Sequence, residues 1–316
     1  MRAVHIADSI VSVHDLPIPA VPEGFALLRL RVGGICNTDL ELQRGYYGFS
    51  GTPGHEFVAD VVECADASWV GKRVVGEINL ACNHCSWCAR GLERHCPNRT
   101  VLGIVQHPGA FAEYCTLPIE NLHAVPEGLP DEVAVFTEPV AAACAILEQV
   151  PLDAGTPVAV LGDGKLGLLC AMVLALHGAE VSLFGRHPNK MAIAETVGVR
   201  PTAQSEIGTR QYPIVVEVTG SAAGMADAIR MTEPRGKIVM KSTVHEPVKI
   251  DMASVIVPEI SLVGSRCGRF SYALPLLAAQ QLPLNQMIQA EYPLTEAPAA
   301  FAHAATKGTL KVLLRN

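Results

Sequence analysis

The chain opens with short runs in which apolar and polar positions alternate every second residue: RAVHI, SIVSVHDL and, after the turn PAVPEG, ALLRLRV. Period-two alternation interrupted by Gly, Pro and Asp predicts a small antiparallel β unit. FVADVVEC and KRVVGEI extend it, and GIVQHPGAFAEYCTLP adds further β structure. In the stretch DEVAVFTEPVAAACAILEQV, Asp131 is placed to cap a short helix. Glu138-Pro139 then opens a second helix, because proline is tolerated in a first helical turn. From Pro157 the pattern changes: VAVL is a wholly apolar run, as expected of a strand buried on both faces of a parallel sheet. A helix follows to His177 and is stopped by Gly178, and EVSLF is the next strand. PIVVEVTG, GKIVMKST and ISLVGSR repeat the buried-strand pattern with helices such as MADAIRMT between them, which predicts a doubly wound α/β sheet. Beyond about Cys267 the chain reads as a helix (YALPLLAAQ), a turn plus a helix (EYPLTEAPAAFAHAATKG) and a closing strand (LKVLL).

Composition narrows the class. With 316 residues, the chain exceeds one ordinary core, so two domains are expected. Hydrophobic residues make up 49% and charged residues 17%, which describes a globular protein. A formal charge of −7 without any Lys or Arg run excludes sequence-independent nucleic-acid binding, which depends on neutralising phosphates. The N-terminal stretch lacks the charged and long apolar regions of a secretory signal. The most apolar run, Leu166 to Leu176, is about half of the ~20 residues that a membrane span requires. These features predict a cytoplasmic protein with no membrane partner.

Three stretches carry candidate chemistry. Four of the ten cysteines form Cys82-x2-Cys85-x2-Cys88-x7-Cys96. Clustered cysteines in a chain of this kind favour metal over disulfide, and an all-sulfur set without an open position predicts structural zinc. Gly33 to Phe57 places Cys36 and His55, two zinc-ligand types, near Thr38, Asp39, Glu41 and Glu56. A tetrahedral site needs at least one more ligand. Glu138, a carboxylate set among apolar residues beside Pro139, is unusual in its place, though a Glu at a helix N-terminus also gains from the helix dipole. Finally, Gly162-Asp163-Gly164-Lys165-Leu166-Gly167 matches G-x-G-x-x-G between a strand and a helix, the setting in which that motif binds a dinucleotide pyrophosphate at a helix N-terminus. After the second strand come Gly185, Arg186 and His187, with no acid at the tip to receive ribose hydroxyls. The guanidinium suits a 2′-phosphate, so NADP(H) is favoured over NAD(H).

Taken together, Gly34-Ile35-Cys36-Asn37-Thr38-Asp39, Gly54-His55-Glu56, the four-cysteine loop, the Glu-Pro pair and the glycine fingerprint resemble the zinc-dependent medium-chain alcohol, polyol and threonine dehydrogenases. The resemblance spans nearly the whole chain. It implies a GroES-like β catalytic domain (1–140 and 267–316) with a Rossmann NAD(P)-binding domain (141–266) inserted, and an active site in the cleft. It also implies two zinc ions per chain, one of them catalytic. Cys36 and His55 would ligate the catalytic zinc, Glu138 would be the third ligand, and Glu56 an exchanging ligand or close neighbour. Asp39 would orient His55, and Thr38 would pass the substrate proton onward. Many relatives carry a histidine five residues after the catalytic cysteine, where this chain has Glu41, so a carboxylate is the candidate for the end of the relay. Ala59 stands where a glycine is usual.

The implied function is hydride transfer between a nicotinamide cofactor and a secondary alcohol, a polyol, sugar or hydroxylated metabolite, by a homodimer or homotetramer. Tyr46, Tyr47 and Phe49 are candidates to line the substrate pocket. A simple alcohol or aldehyde reductase is the second reading. A catalytically silent zinc- and nucleotide-binding regulatory protein is the third, disfavoured because it would not need Cys36, Thr38, His55 and Glu138 together.

Overall fold

The computed structural model describes residues 1–242 and 248–316; Thr243, the last residue of the GKIVMKST run, lies outside them. The chain forms two compact units. The first comprises Met1–Glu138, Ala273–Ala279 and Met287–Asn316, and the second Pro139–Tyr272 and Gln280–Gln286.

In the first unit, strands Arg2–Ala7 and Ile10–Asp15 form a hairpin in full register from Arg2↔Asp15 to Ala7↔Ile10. Its two-residue turn, Asp8-Ser9, has both φ angles positive, which matches the right-handed twist of the strands. The main sheet has seven strands, and Phe25–Gly34 is its hub. That strand pairs antiparallel with Phe57–Cys64, Tyr114–Pro118 and the closing strand Lys311–Arg315. Its apolar positions after Phe25 are buried, while Arg29 and Arg31 point outward to Asp60, each at 3.2 Å. Asp131 does not cap the short helix Asp131–Ala134, whose N-cap is Pro130. Its carboxylate is taken instead by two guanidinium groups, Arg31 at 2.7 Å and Arg73 at 2.8 Å. Such charge-assisted bonds outcompete a neutral amide for the same oxygens.

The C-terminal part holds one strand more than the sequence pattern suggests. Ile288–Pro293, whose last three residues open the run read as a turn plus a helix, is a strand parallel to Lys311–Arg315 at the sheet edge. Its positions alternate between half-buried and exposed. A strand with only one shallow apolar face leaves a weak hydrophobic signature.

The second unit is a six-stranded parallel sheet in the order Arg200–Ala203, Glu180–Gly185, Pro157–Leu161, Tyr212–Glu217, Thr232–Met240, Ser261–Gly264. This is the doubly wound arrangement, in which the order of strand addition reverses beside Pro157–Leu161. Leu161, Phe184, Val215, Met225, Met231 and Ile238 pack on one face of the sheet. Helix Lys165–Leu176 follows the first strand through the glycine loop, and helix Ala222–Met231 is capped by Ser221, whose Oγ accepts from Gly224 N–H at 3.1 Å.

Candidate active site and metal centres

Strand pairing explains how Cys36 and His55 meet. Gly33 pairs with Phe57, and Gly34 N–H donates to Glu56 O at 2.8 Å, so the residues just beyond each strand end are neighbours. Cys36 is the N-cap of helix Asn37–Gln43, and Asp39 is the third residue of that helix. The Asp39 carboxylate binds in two directions. Oδ2 accepts the Cys36 N–H at 2.8 Å, and Oδ1 lies 3.3 Å from His55 Nδ1. Both side chains are buried, and those two atoms have no other partner among the described residues. With Nδ1 facing Asp39, Nε2 is the nitrogen left for a metal, the arrangement in which an outer carboxylate fixes a metal-binding imidazole.

The ligand atoms of Cys36, His55 and Glu56 all lie within 4.8 Å of one another. A cysteine sulfur, an imidazole and a carboxylate in one pocket, the first half-buried and the other two buried, are a zinc-type donor set. Burial disfavours a charged His55, but the Asp39 carboxylate and Cys36 outweigh it and hold its pKa well above the ordinary value. The pocket is therefore built to hold positive charge, and a metal would take the place of that proton.

Glu56 has a second partner absent from the sequence reading. Lys311 Nζ forms a buried ion pair with Glu56 Oε2 and lies 5.3 Å from the centre of the Phe136 ring. Burial works against the Lys311 cation, yet Glu56, Cys36 and Asp39 together keep its pKa raised. The only signal in the sequence is a lysine inside the apolar run LKVLL.

The other expected site residues lie close by or are otherwise engaged. Thr38 Oγ1 lies 3.8 Å from Cys36 Sγ. The Glu41 carboxylate accepts from Arg44 at 2.6 Å. Glu138 sits in the first turn of helix Thr137–Gln149, half-buried, and is not one of the three residues grouped within 4.8 Å. Ala59 is fully buried in its strand.

The four-cysteine loop is close to metal-binding geometry. Cys85 Sγ is 3.5 Å from Cys88 Sγ and 3.8 Å from Cys96 Sγ, and Cys96 Sγ is 3.5 Å from Cys82 Sγ. A tetrahedron with ~2.3 Å zinc–sulfur bonds has edges of about 3.8 Å. The backbone amide of His84 favours the Cys82 thiolate, drawing its pKa down to about 6, and the amide of Cys88 lowers that of Cys85. His84 and His95 are exposed.

In the second unit, Gly162 has φ +118°, and Gly164 caps helix Lys165–Leu176. A Cβ on Gly167 would lie 1.9 Å from Gly162 O, so loop and helix approach too closely for any side chain. The tip of the second strand is not free of acid, as its local sequence suggests. Asp163, from within the fingerprint, reaches over Gly185: its Oδ2 accepts from Arg186 N–H at 2.7 Å, His187 N–H at 2.6 Å and His187 Nδ1 at 3.0 Å. A Cβ at Gly185 would meet the Asp163 side chain at 2.6 Å. Despite burial, these donors lower the Asp163 pKa and keep it ionised. Arg186 Nε donates to Gln204 Oε1.

Comparison with known proteins agrees with this architecture. Residues 22–127 match the alcohol dehydrogenase GroES-like domain and residues 166–280 the zinc-binding dehydrogenase domain. An L-threonine 3-dehydrogenase of Chelativorans sp. (strain BNC1) is 32% identical over 85% of this chain and 84% of its own length. A sorbitol dehydrogenase of Halalkalibacterium halodurans is 28% identical over 96% of this chain and 95% of its own. Among solved structures, a zinc-binding dehydrogenase of Sinorhizobium meliloti 1021 bound to NADP superposes with a TM-score of 0.91 at 28% identity, covering 100% of this chain and 99% of the other. The chain thus belongs to the zinc-dependent medium-chain dehydrogenases, oxidoreductases that pair a GroES-like domain with a Rossmann domain.

Proposed function

We propose that the protein oxidises a secondary alcohol, a polyol, sugar or hydroxylated metabolite, to the carbonyl compound, or runs the reverse reduction, with NADP(H) and two zinc ions per chain. The observation that carries this reading is the grouping of half-buried Cys36 with buried His55 and Glu56. When bound, zinc polarises the substrate oxygen and the nicotinamide exchanges a hydride with the carbinol carbon. The protein's own residues do the rest. Cys36, His55 and one carboxylate, Glu138 or Glu56, hold the catalytic metal, and Asp39 fixes the orientation of the first two. Thr38 relays the hydroxyl proton, giving up its own as it accepts the substrate's, and the Glu41 carboxylate, after releasing Arg44, is the candidate to take it. Cys82, Cys85, Cys88 and Cys96 hold the structural zinc.

The loop Gly162, Gly164, Lys165, Leu166 and Gly167 takes the pyrophosphate on helix amides. Gly185, Arg186 and His187 border the adenosine ribose, with Arg186 supplying charge for a 2′-phosphate. The relatives named for threonine and sorbitol support a hydroxylated substrate. We further propose a cytoplasmic homodimer or homotetramer. No helix among the described residues is long and apolar enough to cross a membrane. Met252, Ile256 and Val257, exposed and apolar near the edge strand Ser261–Gly264, support self-association.

The test is a screen of alcohols, polyols, sugars and amino alcohols with both nicotinamide cofactors, following absorbance of the reduced form, alongside zinc analysis. Turnover of a hydroxylated substrate, faster with NADP, and about two zincs per chain are expected. Zinc-replete protein without turnover across the screen overturns the catalytic reading. An Arg186→Asp variant with unchanged cofactor preference overturns the assignment of NADP(H).

A further inference from the structure

The glycine loop of the second unit carries an acid at a position its pattern leaves open. In Gly162-Asp163-Gly164-Lys165-Leu166-Gly167 the three glycines answer to the turn, the pyrophosphate and helix packing, and residue 163 is under none of these constraints. An aspartate there sets a negative charge beside amides suited to a pyrophosphate, which opposes the binding of one. The three donors on Oδ2, the Arg186 and His187 amides and His187 Nδ1, engage only one side of the carboxylate. Oδ1 receives no hydrogen bond from the described residues. The side chain keeps 12% of its surface accessible, and Oδ1 is not among the buried atoms that lack a partner, so this oxygen meets solvent. An ionised carboxylate locked through one oxygen presents the other as a fixed, charged acceptor.

Its place in the sheet says what that acceptor faces. Leu161 pairs with Phe184, and Gly162 N–H donates to Phe184 O at 2.9 Å, so the loop that follows the first strand lies against the end of strand Glu180–Gly185. That strand tip is where a fold of this kind presents an Asp or Glu to the adenosine ribose of NAD(H). Gly185 has no side chain to offer, and a Cβ built on it would lie 2.6 Å from Cβ and Oδ2 of Asp163 and 2.7 Å from its Cγ. The Asp163 carboxyl group thus fills the space that an acid at the tip would use. Arg186, the neighbouring cation, is exposed, whereas Asp163 is 8% exposed, so solvent screens the guanidinium more than the carboxylate.

We propose that Asp163 is the residue that sets cofactor specificity: its Oδ1 accepts the 2′-hydroxyl of an unphosphorylated adenosine ribose, and its charge offsets part of the attraction of Arg186 for a 2′-phosphate. The chain thereby accepts NAD(H). The inference rests on the dinucleotide reading of the second unit. The experiment reads binding, not turnover, on the zinc-loaded full chain. NADH and NADPH are titrated by fluorescence of the reduced nicotinamide, and ADP and 2′-deoxy-ADP by displacement of the bound reduced cofactor. NADH is expected to bind, and ADP to bind about tenfold more tightly than 2′-deoxy-ADP, because a hydrogen bond to a charged acceptor separates the two. Asp163→Ala is expected to bring that ratio to about one. A looser turn at Arg186 and His187 weakens both nucleotides alike and leaves the ratio in place, so the ratio separates contact from positioning. Should Asp163→Ala not fold, Asp163→Asn, which keeps the shape and removes the charge, is expected to narrow the ratio about threefold or more. Equal affinity of wild type for ADP and 2′-deoxy-ADP overturns the proposal, as does an unchanged ratio in the folded variant. Binding of NADPH without NADH also overturns it, whereas NADH without NADPH supports it and overturns the preference for NADP(H). A wild type that binds neither overturns the dinucleotide reading together with the proposal.

Discussion

Replacing Lys311 by methionine, a side chain of similar length without charge, isolates the contribution of the ion pair beside the metal grouping. Lys311 is 2% and Glu56 1% exposed, so solvent cannot take over for the missing partner. Removing one member of a pair this deeply buried leaves an uncompensated charge and costs about 3–5 kcal/mol. For a unit of this size that corresponds to a fall in Tm of roughly 6–20 °C. Both tryptophans, Trp69 and Trp87, belong to the first unit, so urea unfolding followed by tryptophan fluorescence reports on that unit selectively. Lys311→Met is expected to shift the midpoint by the full amount. Adding Glu56→Gln should recover a large part of the loss, since the stranded carboxylate is then neutral. Recovery stays incomplete because Lys311 also serves Cys36 and Asp39. Comparison at equal zinc content is essential, as a metal on Glu56 would compensate its charge. A loss below about 1 kcal/mol in the single variant, or a double variant as unstable as the sum of both losses, would refute the reasoning.

The other sites yield equally direct tests. Cys96→Ser, at a fully buried sulfur within 3.5 Å of Cys82, is expected to lower bound zinc by about one ion per chain in metal analysis. Asp163→Asn removes the negative charge beside Gly185 while leaving an acceptor for the Arg186 and His187 amides. Fluorescence titration with the reduced cofactors should show the NADPH to NADH affinity ratio rise about tenfold, as like charges no longer oppose at the phosphate. The same residue sets an acid limit. Its folded pKa lies below the ordinary 3.8, so its stabilising contribution is complete above that value and lost as pH falls through the folded pKa. Thermal unfolding across a pH series should show the advantage of wild type over Asp163→Asn shrinking below about pH 4. Gly167→Ala should destabilise the second unit by about 2 kcal/mol or more, seen as a lower midpoint by circular dichroism, because its Cβ would collide with Gly162 O.

What the sequence displayed was local. The buried strand VAVL, the glycine loop and the helix to His177 lie within a short span, and the strand Pro157–Leu161 and helix Lys165–Leu176 form there. The spacing of Cys82, Cys85, Cys88 and Cys96 is equally local, and their sulfurs converge. What remained hidden depends on contacts between segments far apart in the chain. Asp163 holds the turn at Arg186 and His187 because adjacent parallel strands bring the two loops together, and nothing in the fingerprint itself announces that. Asp131 looked like a cap because propensity is a statement about neighbours along the chain. Arg31 and Arg73, contributed by two strands, decided otherwise. Ile288–Pro293 escaped notice because an edge strand with one shallow face needs little hydrophobicity.

The metal grouping depends on the sheet as a whole rather than on any one motif. Gly33 opposite Phe57 sets Cys36 beside His55, and Leu313 opposite Gly34 brings the closing strand to the same place. Ile35 N–H then donates to Val312 O at 3.0 Å, one residue after Lys311. The glycine at position 34 follows from this convergence, since its Cβ would lie 2.8 Å from Glu56 Oε2 and 3.4 Å from Lys311 Cδ. The GGICNTD motif is therefore shaped at both ends by charge. Its glycine leaves room for the Glu56–Lys311 pair, and its Asp39 ties Cys36 to His55. Asp39 accepts the Cys36 N–H and faces His55 Nδ1, and Lys311 pairs with Glu56, so the protein itself positions all three residues of the grouping. A metal bound there through Glu56 would compete with Lys311 for the carboxylate, and the closing strand, distant in sequence, would then contribute to metal affinity.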